Sequence, residues 1–156
     1  MKFTSMILAL ASLAAVLPAQ ASHTPKILIY RFTGVHDSGG AAKVGQATLF
    51  TCKNWGAEQE AISFLVLGPT GTTMAVKNYI VFPRRTITVA THDIRVIAEF
   101  DLLSPGKRIN GGSATITASH PTLWSCTGSV LEAATETLQS LDMDKQRFNA
   151  PTGAQE

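Results

Sequence analysis

From Lys26 onward the chain never holds one hydrophobic pattern for long. Short apolar or alternating runs recur at a spacing of roughly 8–12 residues with turn formers between them, which is the rhythm of an all-β sandwich or barrel. The runs fall at 26–33, 46–52, 61–67, 73–82, 86–91, 94–100, 113–119, 122–130 and 141–148. Breakers divide them: Gly34 with Asp37-Ser38-Gly39-Gly40, Lys53-Asn54-Trp55-Gly56, Gly68-Pro69-Thr70-Gly71, Pro83, His92-Asp93, Ser104-Pro105-Gly106 and Asn110-Gly111-Gly112. The run 94–100 alternates cleanly, with Ile94, Val96, Ala98 and Phe100 on one face, as in a half-exposed antiparallel strand. In 113–119 the inner face is small, Ala114, Ile116 and Ala118, and the outer one is hydroxylated. These patterns predict a mainly β fold, an antiparallel β-sandwich of about eight or nine strands.

No linker or repeat divides residues 22–156, so a single β domain is expected. The stretch after 130 carries two patterns. Leu131, Ala134, Leu138 and Leu141 follow helical spacing, while Leu141 and Met143 alternate with Asp142 and Asp144. A short helical or irregular passage leading to a last edge strand near 141–148 fits both, and 150–156 should fray.

Two cysteines, Cys52 and Cys126, stand on strand-like segments. Alternation puts Cys52 on the face of Phe50 and Cys126 on the face of Trp124, so both sulfurs point where large aromatics point. A disulfide closing this span constrains the unfolded chain by about 4–4.5 kcal/mol in the loop-entropy treatment. The alternative is two buried free thiols.

The compartment follows from the other end of the chain. Met1 and Lys2 precede an apolar run over 6–17, then Pro18 and the small-residue sequence Ala19-Gln20-Ala21. That order is a cleavable secretory signal over residues 1–21. The run is too short to cross a bilayer core, which needs roughly 20 residues. Ser22 follows the cut, so no cysteine is placed there for acylation. The mature protein is therefore expected in the periplasm or the medium, without stable membrane insertion, where a disulfide forms and persists.

Once the signal is removed, twelve Lys and Arg face eleven Asp and Glu, a balance that favours neither nucleic acid nor an anionic membrane. Arg84-Arg85 and Lys107-Arg108 are pairs, read as solvated turn and strand-end charges. Asp37-Ser38-Gly39-Gly40 is similar to the nucleophile loop of trypsin-like serine proteases. Those enzymes take a histidine and an aspartate from earlier in a longer chain, and His36 is too close to serve as the base. A glycine-rich turn with side-chain capping accounts for the string. His23, His36, His92 and His120 are scattered and show no ligand spacing, and Asp142 with Asp144 lacks the rest of a calcium loop. No catalytic residue, metal ligand or cofactor is expected.

Trp55 is the candidate ligand contact. It sits in a polar turn beside Lys53 and Asn54, where an exposed indole can stack on a sugar ring or a partner. The structural alternative folds it back over the sheet edge.

The cysteine spacing resembles that of the inter-sheet bond of immunoglobulin domains, yet the core tryptophan a dozen residues on is replaced by Leu65. The tyrosine two before the second cysteine is replaced by Trp124. The architecture expected is immunoglobulin-like without membership of that family. Tyr30-Arg31-Phe32-Thr33-Gly34-Val35 with Asp37-Ser38-Gly39-Gly40, the segment Ala47-Thr48-Leu49-Phe50-Thr51-Cys52-Lys53-Asn54, and the ending Arg147-Phe148-Asn149-Ala150-Pro151-Thr152-Gly153 resemble small uncharacterised exported proteins of bacteria. The resemblance implies a signal peptide and a β-rich domain and brings no functional residue.

Three function classes follow. The first is an exported, non-enzymatic binding module for a protein or glycan. The second is a structural subunit that self-assembles as a homo-oligomer by edge-strand exchange, with the C-terminal segment as donor. The third is a small hydrolase, which requires a pocket with a titratable group of shifted pKa.

Overall fold

The computed structural model describes residues 27–39, 43–94, 100–120, 123–138, 143–149 and 154–155. The secretory signal expected over 1–21, His23, Asp142 and most of the strand expected at 94–100 lie outside the described residues. The described residues form ten strands: β1 (Ile27–Asp37), β2 (Gln46–Asn54), β3 (Glu60–Leu67), β4 (Thr73–Val81), β5 (Thr86–Ala90), β6 (Phe100–Asp101), β7 (Ile109–Ala118), β8 (Trp124–Glu132), β9 (Lys145–Asn149) and β10 (Ala154–Gln155). They form a β-sandwich. One sheet has the order β10-β9-β1-β7-β3-β4 and the other β6-β5-β2-β8. Every pairing is antiparallel except the short β5–β6 contact, Val89 to Phe100 and Ala90 to Asp101.

Period-two burial builds these strands. On β7, Ala114, Ile116 and Ala118 are buried while Ser113, Thr115 and Thr117 are half-exposed, as the pleat requires of a strand with one face on a core. Phe32 from β1, Phe50 from β2 and Phe64 from β3 meet between the sheets, with ring centroids 5.3 Å and 6.3 Å apart. The row continues through Tyr79 on β4 to Phe100 on β6, at 6.1 Å and 5.0 Å. Each such tilted or edge-on pair adds about 0.5–1.5 kcal/mol beyond area burial. The close approach of the layers uses Gly128 on β8, where a side chain would collide with the Phe32 ring. A second, smaller cluster of Ala47, Leu49, Ala90 and Leu131 on the four-stranded sheet is closed by Ile94 and Ala133.

Several boundaries differ from the sequence expectation. Gly34 and Asn110-Gly111-Gly112, read as breakers, lie inside strands. Gly34 and Gly111 adopt φ of 80° and 75° at irregularities in the β1–β7 ladder, where Val35 faces Gly112 and His36 faces Asn110. The glycines thus bend paired strands instead of ending them. No helix forms in the described part of the stretch after 130. β8 runs on to Glu132, a turn follows, and Leu131 bridges to Leu138. A strand does form near the expected position, β9, paired with β1 through Tyr30–Arg147, Arg31–Gln146 and Phe32–Lys145, but it is not the edge, since β10 lies outside it. Within the segment expected to fray, Ala154 and Gln155 pair with Asn149 and Phe148, which gives their backbone a ladder to join.

Cys52 and Cys126 form a disulfide and are both buried. They are direct cross-strand neighbours on β2 and β8 with Cα atoms 4.1 Å apart. The bond therefore lies within one sheet, unlike the inter-sheet bond of immunoglobulin domains. It is compatible with an oxidising, extracellular or periplasmic location.

Candidate functional site

The sandwich end where β2 finishes is organised by one side chain. Asn54 is fully buried, and its Nδ2 donates to the carbonyls of Glu58 at 2.8 Å, Val81 at 3.1 Å and Phe82 at 3.4 Å. Its Oδ1 accepts from Gly56 N at 2.8 Å, an Asx turn. The neighbouring backbone completes the weld: Asn54 N donates to Arg85 O at 3.0 Å and Trp55 N to Leu123 O at 2.7 Å. Three chain segments, the β2–β3 turn, the β4–β5 turn and the approach to β8, are thereby held at one end. Beneath them, buried Glu60 accepts from Trp124 Nε1 at 3.0 Å, and Tyr30 Oη donates to Trp124 O at 3.2 Å.

Each segment presents an apolar side chain to solvent: Trp55 is 44 % exposed, Phe82 62 % and Leu123 47 %. Trp55 lies just past the end of β2 with Lys53 Nζ 3.6 Å above its ring centroid, a cation–π contact on one face. Arg84 and Arg85 are exposed in the adjoining turn. The structure thus gives this end a fixed apolar surface with cations beside it. Phe82 and Leu123 escaped the sequence reading because each sits in a strand-like run that favours burial. Asn54 carried a legible signal, Asn two residues before Gly, but its bonds to residues 81 and 82 depend on tertiary structure.

The opposite end of β2 holds a polar cluster that the sequence kept apart. Asp37, read as a turn residue, and His92, read as a loop histidine, are both buried, with His92 Nδ1 2.9 Å from Asp37 Oδ2. Asp37 Oδ1 accepts from Gly39 N at 2.7 Å, the capping expected of that turn. Thr48 Oγ1 accepts from His36 N and donates to His36 O, both at 2.8 Å, and Thr91 Oγ1 accepts from Thr48 N at 3.0 Å. The hydrogen bond to Asp37 raises the His92 pKa above the ordinary imidazole value. Burial opposes this, and the charges of Asp37 and Asp101 add to it. Burial and the charge of Asp93 raise the Asp101 carboxyl.

A base oriented by a carboxylate is half of a nucleophilic triad. Among the described residues the other half is not supplied. His92 Nε2 is buried and bonded to no hydroxyl, and Ser38 Oγ is engaged by Gln46, accepting from its N at 2.9 Å. No group of three or more His, Cys, Asp or Glu suited to a metal ion occurs among the described residues. No protein-family model, curated protein or solved structure matches the chain.

Proposed function

We propose that the chain is an exported binding module whose recognition surface is the end built on Asn54. The observation that carries this reading is the exposure of Trp55, Phe82 and Leu123 on segments whose backbone is fixed from beneath. Loops held by a rigid scaffold are where β-sandwich proteins place recognition. Aromatic side chains on such loops supply contact area at a low cost in conformational entropy. The partner is a protein or a surface glycan, for which an indole face beside cations suits both stacking and hydrogen bonding.

Crosslinking on intact producing cells, followed by capture of the protein and mass identification of the adduct, tests this. The native chain yields a recurrent protein or glycan adduct, and Trp55→Ala and Phe82→Ala lose it with thermal unfolding unchanged. The same adduct from all three proteins, or none from the native chain, overturns the assignment.

A further inference from the structure

We propose that two copies of this chain join edge to edge through β4, making one continuous sheet across a two-fold axis, in a register centred on Asn78. This edge meets the end built on Asn54 where Ile80 approaches Phe82, but the two proposals rest on different observations and neither depends on the other.

Among the described residues β4 is the outermost strand of the six-stranded sheet and is paired on one side only, with β3. The orientation of its backbone follows from the ladder next door. Ser119 N donates to Ala61 O at 3.0 Å, so the Ala61 backbone faces β7. In an antiparallel strand the N–H and C=O of a residue point the same way, and successive residues alternate. Ile62, Phe64 and Val66 therefore face β4, where their partners Tyr79, Lys77 and Ala75 face back. The N–H and C=O groups of Val76, Asn78 and Ile80 are left aimed at the open edge.

The same three residues form the strand's outward row, and Val76 and Ile80 are 56 % and 57 % exposed. In the other layer Phe100, whose ring packs tilted against Tyr79, is also exposed. The sandwich thus ends on an apolar margin in both layers, the kind of edge that pairs with another strand unless it is blunted.

Self-complementarity selects the occupant and the register. With the axis at Asn78, Val76 of one copy lies opposite Ile80 of the other, and the two Asn78 amides face one another. Every residue in these pairs has its backbone groups directed at the edge, so the ladder closes without a bulge. Between them Lys77 of one copy meets Tyr79 of the other, a cation beside an aromatic ring. An axis at Lys77 would set two ammonium groups opposite each other, and one at Tyr79 would set Asn78 against Ile80, both unfavourable cross-strand pairs. The lysine that blunts this edge against foreign strands is accommodated in the Asn78 register. Such an interface is isologous and stops at two copies.

Sedimentation equilibrium of the full exported chain over a wide concentration range tests the proposal. The native chain gives a dimer that dissociates on dilution. Val76→Lys combined with Ile80→Lys abolishes it. Val76→Lys combined with Ile80→Glu restores it, because the register sets opposite charges across the axis, and added salt weakens the restored dimer. Should the lysine pair fail to fold, Asn78→Pro takes its place, since it removes an N–H aimed at the open edge and none bonded to β3. A native chain that is monomeric throughout, a dimer that survives the lysine pair or Asn78→Pro, or no recovery with the opposite-charge pair overturns the proposal. A monomer would leave the edge to an extended strand of a different protein.

Discussion

Replacing Asn54 by alanine deletes the side chain that binds three carbonyls and one amide at the candidate recognition end. Three of these bonds have good geometry, to Glu58 O at 2.8 Å, to Val81 O at 3.1 Å and from Gly56 N at 2.8 Å. At about 1 kcal/mol net for each bond, with partners then left unpaired, the loss comes to about 3–4 kcal/mol. For a domain of this size each kcal/mol lowers Tm by about 3–5 °C, so the melt falls by about 9–20 °C. Urea unfolding is the direct assay, with a lower midpoint and an unchanged m-value expected, since the native surface stays closed. Asn54→Asp sharpens the test: it keeps the acceptor for Gly56 N but turns a buried carboxylate oxygen toward carbonyl oxygens, so it destabilises at neutral pH at least as much. A loss below about 1 kcal/mol for the alanine variant would refute the reasoning, because the carbonyls would then find other partners and the segments would hold themselves.

Two further outcomes follow from the interior. Substituting both Cys52 and Cys126 by alanine should cost about 2–4 kcal/mol, with about 4.5 kcal/mol as the loop-entropy ceiling, read as a matching fall in the urea midpoint on reduction of the native chain. His92 has a folded pKa raised by its Asp37 hydrogen bond, so its contribution to stability is complete below the unfolded imidazole value of about 6.5 and is lost as pH rises through the higher folded value. The native chain should therefore lose stability across that window and His92→Asn should not, while a native profile flat there would contradict the pairing.

The sandwich was legible because its signals are local. Alternation placed Ala114, Ile116 and Ala118 on the inner face, and it placed Cys52 with Phe50 and Cys126 with Trp124, all of them buried. Where a residue's meaning depends on the strand beside it, the sequence misleads. Gly34 and Gly111 look like stops, since only the ladder reveals that they sit at successive irregularities on the two strands, on either side of the Val35–Gly112 pair. Cysteine spacing invited comparison with an inter-sheet bond, and only the β2–β8 register makes the pair neighbours in one sheet. The candidate recognition end was half visible. Trp55 declared itself by its polar turn, whereas Phe82 and Leu123 are exposed because Asn54 and the backbone hold their segments outward. Asp37 and His92, 55 positions apart, are joined by tertiary structure alone.

The disulfide also determines how the molecule responds to force. Residues 52 to 126 form a closed covalent ring holding β3, β4, β5, β6 and β7, while β1 and β9 lie outside it. Tension on the two chain ends first strips β9 from β1 and β1 from β7 and unzips the flanking parts of β2 and β8. It then stops at the sulfur–sulfur bond. The 74-residue separation between the cysteines, about 250 Å of contour at full extension, stays withheld from the load. Reduction releases that length, so a chain stretched between two attachment points would lengthen abruptly when a reductant reaches it.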